Sequence, residues 1–389
     1  MGGRRELAAL IATASLVGTT IPLNLPLLSL GLERAGFAAD AIGLNAAASG
    51  LGVLLAVPLL APLHRRLGSR GTIAAGAAVA ALAMLVLPLR VDFLFWFLLR
   101  MVVSAGTALV FIVAEATINA LAPQGQRARV LAVYATVFCL AYASGPLVIV
   151  LLGSEGYLPF AVSAGLFLLG AWPAAAARGI DAALDAPPAN LRLADGLAIF
   201  RRAPLAFLTI LVFGVLEASL FSLFPVYALA FGYGEGTAAL MLSVWILGNV
   251  LLQYPIAWLA DRWPRHTVLG AVAAVVLCGF LLLPVAMASG LAPWPLLVLL
   301  GGFAGALYTL SLALIGDACR GFALALANAA FVVMIELGMT LGPPLSGLAM
   351  GSAGPHGLPL FLAAACAPLL IAALRPRSRR LPGRRLGST

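Results

Sequence analysis

The chain contains no lysine, and all 23 of its Lys/Arg-type cations are arginine. Charged residues make up only 10% of the 389 residues, with 14 carboxylates. A soluble domain carries about one charged residue in four, so this chain cannot cover a folded surface in water. The missing lysine removes the glycine-rich, lysine-ended loop that cradles nucleotide phosphates, which argues against an ATP-driven pump encoded here. Histidine is scarce: His64, His266 and His356 stand far apart. The four cysteines, Cys139, Cys278, Cys319 and Cys366, are equally scattered, with no metal-ligand or disulfide spacing. No nucleophile elbow is visible. The expectation is therefore no enzyme, no metal and no cofactor, with the cysteines serving as small apolar packing residues.

Apolar sequence is what the chain has in abundance. It is 63% hydrophobic, with a mean hydropathy of +1.08. Repeated apolar runs of 18 residues or more make it an all-α, polytopic membrane protein. With about 20 residues needed per crossing, twelve spans are predicted. The first six cover 7–32, 41–63, 71–89, 92–121, 127–152 and 157–177. The second six cover 204–232, 237–260, 267–288, 293–317, 320–350 and 357–374. The first apolar run is too long for a signal-peptide core and reads as a helix that stays attached.

The most polar stretch lies between the two sets. From Arg178 to Arg202 it carries four arginines, three aspartates and Pro187-Pro188. It reads as an aqueous linker. The expected division is a first half at 1–177, a linker at 178–203, a second half at 204–375 and a basic tail at 376–389. Orientation follows from arginine. With the N-terminus in the cytoplasm, every arginine but Arg34, Arg90 and Arg100 falls in a cytoplasmic loop, the linker or the tail. Both termini are thus expected in the cytoplasm, in the inner membrane of a bacterium. The net charge of +9 then serves topology and lipid contact, not nucleic acid.

Landmarks recur. Pro58 and Pro255 are 197 positions apart, and so are Gly145-Pro146 and Gly342-Pro343. Equal offsets put the same feature in the same helix of each half, the mark of a parallel repeat.

The loop AWLADRWPRH, from Ala257 to His266, resembles the G-x-L-A-D-R-x-G-R-K loop of the major facilitator superfamily, with Ala257 and Pro264 at the two glycines. The first-half copy has His64 at the aspartate, followed by Arg65. Arg100-Met-Val-Val-Ser104-Ala-Gly106 is similar to the family's R-x-x-x-G-x-G pattern, and Ser144-Gly145-Pro146 to its antiporter motif, though Ile149 replaces a glycine. The resemblance implies a secondary transporter working by alternating access, and the antiporter motif favours proton-coupled efflux of a drug-like compound or sugar. Proton-coupled uptake is the alternative within transport. A non-transporting membrane sensor or an integral membrane enzyme is the alternative outside it. The implied partners are a small-molecule substrate, protons and the bilayer, with the chain working as a monomer.

Charges inside spans cost about 2.5–3.5 kcal/mol on insertion scales, so each needs a partner or a task. Glu217 and Glu336 fall near mid-span and are candidates for proton coupling or substrate contact. Arg100 is a candidate for holding a carboxylate or relaying protons, as the resemblance implies. Glu115 is expected in an ion pair with Arg127 or Arg129, acting as a gate. Asp261, Arg262 and Arg65 are gating candidates at the loops. Asn24, Asn45, Asn119, Asn249, Gln253 and Tyr308 are candidate cavity residues, Asn24 in a helix kinked by Pro22 and Pro26. Gly145, Pro146, Gly342 and Pro343 are structural, and Gly338 with Gly342 permits close helix contact.

Overall fold

The computed structural model describes residues 2–123, 126–182, 199–320 and 322–374. These fold into helices α1 (Gly2–Arg34), α2 (Ala39–Val86), α3 (Phe93–Leu121), α4 (Arg127–Ser144), α5 (Leu147–Leu152) and α6 (Leu158–Ala176). After the linker come α7 (Pro204–Ala230), α8 (Glu235–Arg262), α9 (Arg265–Met287), α10 (Pro293–Ala318), α11 (Phe322–Ala353) and α12 (Gly357–Leu374). No strand occurs among the described residues. Pro187-Pro188, Asp185, Arg192 and the tail arginines lie outside them.

Twelve crossings result, though not one per helix. Among the described residues, eleven helices are long and apolar enough to span a bilayer, counting α4 with α5 as one. Helix α2 supplies the twelfth. Its 48 residues would measure about 72 Å at 1.5 Å per residue, more than twice the hydrocarbon thickness. Gly68 breaks it, with φ 69° and ψ −176°, a conformation open to glycine and strained for other residues. Spans two and three thus meet at a single residue, where the sequence predicts a loop over 64–70.

Asp181 stabilises that break. Its Oδ1 accepts from the Arg70 backbone N–H at 2.9 Å, satisfying one orphan donor where the second part of α2 begins. Arg70 in turn donates from Nε to the Ala175 carbonyl at 2.9 Å. The fifth span is interrupted too. Gly145 and Pro146 separate α4 from α5.

Most contacts run within two sets, α1–α6 and α7–α12, although α2 with α11 is as extensive as any pair inside the second set. Lipid tails are as apolar as leucine, so close packing has to hold such helices together. Gly145 seats against the backbone of α1 at Thr19 and Leu23. Gly342 seats against α7 at Val215 and Ser219, and Gly338 against Leu211 and Val215. The two sets meet through α1 with α7, α2 with α11, and α4 and α5 with α8.

Candidate functional site

Where α1, α2, α3, α4, α7 and α11 converge lies a cavity of about 180 Å³. Two carboxylates reach it from the second set: Glu217 at the midpoint of α7 and Glu336 near the middle of α11. Arg100 reaches it from α3 in the first set. Most of the remaining wall is apolar, with Leu25, Leu28, Val53, Val103 and Met339.

Hydroxyls position the charged groups. Tyr142 on α4 donates from its OH to Glu217 Oε1 at 3.1 Å, across the boundary between the sets. Its ring meets Phe221 edge-on at 5.9 Å. Arg100, 1% exposed, donates from Nε to Ser49 Oγ at 2.9 Å. Both terminal guanidinium nitrogens are buried without a hydrogen-bond partner among the described residues. Tyr142 and Ser49 carry no distinguishing mark in the sequence. The only cue was a hydroxyl in an apolar run, three residues before Gly145 for Tyr142.

The candidate polar residues part company. Asn24 lines the cavity, and its Oδ1 accepts from Ser163 Oγ at 2.7 Å. Asn45 lies outside the cavity wall. It is fully buried and ties α2 to α3 by donating from Nδ2 to the Phe93 carbonyl at 3.0 Å. Asn119 donates from Nδ2 to the Glu115 carbonyl one turn back. Asn249 packs against Gly305 of α10, and Gln253 follows one turn later, half-buried. Tyr308 stands between Phe213 and Phe331, at 5.6 and 5.2 Å between ring centres. None of these four lines the central cavity.

Among the described residues the gating candidates meet hydroxyl, aromatic and charged partners. Glu115 accepts from the Tyr134 OH at 2.7 Å, and no ion pair joins it to Arg129 among the described residues. Arg127's side chain lies outside them. Tyrosine can neutralise the need for a donor without bringing a second charge into the membrane. Arg65 is exposed and makes no ion pair among the described residues. The arginine engaged at that turn is Arg70, whose NH1 lies 4.0 Å from Asp181. In the second set, Arg265 at the start of α9 pairs with Asp317 of α10 at 2.6 Å and with exposed Asp261 at 3.9 Å. Arg262 stacks on Trp258 at 3.6 Å.

Three polar contacts join the sets among the described residues. One is Tyr142 with Glu217 at mid-depth. The others lie on the face opposite the N-terminus, where Arg34 at the end of α1 meets Glu235 at the start of α8 at 3.4 Å. Ser154 donates from its hydroxyl to Glu235 and accepts from Arg34 through its own carbonyl at 2.8 Å. Beside them, α2 and α11 touch backbone to backbone at Gly43 with Pro343 and at Asp40 with Gly347. On the N-terminal face, the Arg70–Asp181 and Arg265–Asp317 pairs each stay within one set.

Comparison with known proteins agrees with this geometry. Residues 7–326 and 230–389 match the family model described as Major Facilitator Superfamily. The uncharacterized MFS-type transporter YfkF of Bacillus subtilis (strain 168) is 27% identical over 357 residues, covering 87% of each chain. The uncharacterized MFS-type transporter YcaD of Shigella flexneri is 24% identical over 373 residues, covering 95% of this chain and 96% of its own. The crystal structure of the nucleoside transporter NupG superposes with a TM-score of 0.79 at 15% identity, over 95% of this chain and 98% of that one. An inward-facing, unoccupied bacterial homolog of the human lysosomal transporter Spinster gives 0.71 at 15% identity, over 95% of each.

Proposed function

Since the chain belongs to the major facilitator superfamily, as its family match and its fold require, we propose that it is a proton-coupled secondary transporter exporting a small organic molecule by alternating access. One observation carries this reading: two carboxylates of one set and a guanidinium of the other face a single cavity at the boundary between them. Rocking the sets about that boundary exposes the same groups to each side in turn. Glu217 and Glu336 are the proton acceptors, because a buried carboxylate must be neutralised before it can face an apolar wall.

The state described is closed on the face opposite the N-terminus, by the Arg34–Glu235 contact and the α2–α11 backbone contacts. With both termini placed in the cytoplasm of a bacterial cell, the closed face is the exported side of an inner-membrane protein. The direction of transport rests on Gly145-Pro146, which splits the fifth span against α1 where a gate would hinge. The chain acts as a monomer in this reading.

The test is a proteoliposome assay with an imposed pH gradient and a compound library. Flux that follows the gradient, and counterflow of protons, supports the proposal. Gradient-independent flux of every transported compound removes the coupling, and uptake driven by an inward proton gradient reverses the direction.

A further inference from the structure

We infer that the cavity takes a small zwitterion, with the ligand's carboxylate on Arg100 and its ammonium group on one of the two glutamates. The inference rests on the transport reading above and adds the chemical class of the substrate.

Arg100 is the starting point. A buried guanidinium with two unpartnered nitrogens is among the most unfavourable arrangements a protein interior holds. No carboxylate stands within 4.0 Å of it among the described residues. Ser49 occupies Nε and so leaves the NH1–NH2 edge, which matches the two oxygens of a carboxylate in a forked pair.

The opposite wall lacks a cation. Glu336 receives no hydrogen bond or ion pair at its carboxylate among the described residues; the Thr340 hydroxyl donates to its backbone carbonyl instead. Glu217 receives one neutral donor, Tyr142. Alternatives can be ranked by the charges they leave bare. A simple cation leaves Arg100 unpaired. A simple anion leaves both carboxylates without a cation. A neutral solute leaves all three. A zwitterion pairs Arg100 and one carboxylate, and the second carboxylate remains for the coupling proton. The apolar wall between them, with Val103 and Met339, fits a ligand whose charged ends flank an apolar body. Because the cation site and the anion site belong to different sets, such a ligand also bridges the boundary that must close.

The experiment measures equilibrium binding to the purified full chain by thermal shift, without a gradient. The probes are phenylalanine, leucine and γ-aminobutyrate, each with its methyl ester and N-acetyl derivative, with uridine as neutral solute and sodium chloride as simple anion. At least one zwitterion should stabilise the protein, and its ester and acetyl forms should bind about tenfold more weakly or worse, as loss of a charged hydrogen bond requires. Arg100→Gln should abolish discrimination against the ester, and Glu336→Gln with Glu217→Gln should abolish it against the acetyl form. If Arg100→Gln fails to fold, the wild-type ranking decides alone. Equal binding of blocked and free forms overturns the inference. So does stabilisation by uridine or chloride alone, or by none of the zwitterions. Zwitterion binding without gradient-driven flux sinks the coupling reading instead. Gradient-driven flux of neutral compounds only leaves coupling standing and removes the zwitterion.

Discussion

Glu217 stands at the midpoint of a buried helix, and its one partner, Tyr142, brings no charge. If a proton supplies the neutralisation, Glu217→Gln fixes the protonated form. Exchange of substrate without a gradient should then persist, while accumulation driven by a pH gradient falls to background. Glu336→Gln is the matched control at similar depth, with a milder loss expected. Gradient-driven accumulation at the wild-type level in purified Glu217→Gln would falsify the assignment. The three cavity charges, Glu217, Glu336 and Arg100, were legible in the sequence because lipid makes a charge expensive, so each one present stands out. The hydroxyls were not. A serine or threonine on an apolar helix satisfies itself on the carbonyl one turn back, as Thr107 does on Val103 at 2.8 Å. Only the fold separates such residues from Ser49 or Tyr142. The asparagines fail for the same reason: Asn24 and Asn45 both bond between helices, and only Asn24 lies on the cavity wall. Apolar neighbours cannot reveal which face is inward, since lipid and protein core are alike in polarity.

At the helix ends, one ion pair joins the two sets. Arg34 and Glu235 were both visible as lone charges on the arginine-poor face, yet sequence spacing gave no reason to pair residues 201 positions apart. Each is partly exposed, 30% and 24% at the side chain, so the contact is worth about 1 kcal/mol after solvent screening. Arg34→Ala should therefore move the closed-to-open ratio of that face by about fivefold. Spin labels at Leu151 of α5 and Leu291 before α10, both exposed, in a cysteine-free background should show a new, longer distance. An unchanged distance distribution would make Arg34 a surface residue and nothing more. On the N-terminal face the ranking departs from the motif. Arg265 lies 2.6 Å from Asp317 and 3.9 Å from Asp261. Asp317→Asn should slow turnover more than Asp261→Asn, with substrate affinity retained in both. The reverse order would restore Asp261 as the principal gate. Twelve spans were legible because membrane thickness sets one ruler for all of them. The fusion of spans two and three was not, because Gly68 in a polar turn looks like any loop glycine until its backbone angles are known.

At the scale of the whole molecule, the repeat and the orientation are separate claims. The repeat shows in packing. Gly145 seats on α1 near Thr19, and Gly342 seats on α7 near Val215, so landmarks 197 positions apart sit in equivalent places. Orientation depends on where arginine lies. Arg65, Arg66 and Arg70 flank the Gly68 break, Arg201 and Arg202 precede α7, and Arg262 and Arg265 join α8 to α9, all on the N-terminal face. The opposite face holds Arg34 and Arg90, both with acidic partners: Arg34 with Glu155 and Glu235, and Arg90 with Asp92. Translocating an arginine-rich loop is disfavoured, and the bias is counted over short loops such as these. Reporter fusions after Arg4, within 181–200 and after Arg385 should therefore all report cytoplasm. Fusions after Glu155 and after Leu291 should report the exported side. The two groups must differ, because five spans separate Arg4 from Glu155 once the fifth span is counted through Gly145 and the second and third are split at Gly68. If the 181–200 fusion reported the exported side while Arg4 remained cytoplasmic, an odd number of crossings would precede the linker, and both the Gly68 division and the two sets of six would fail together.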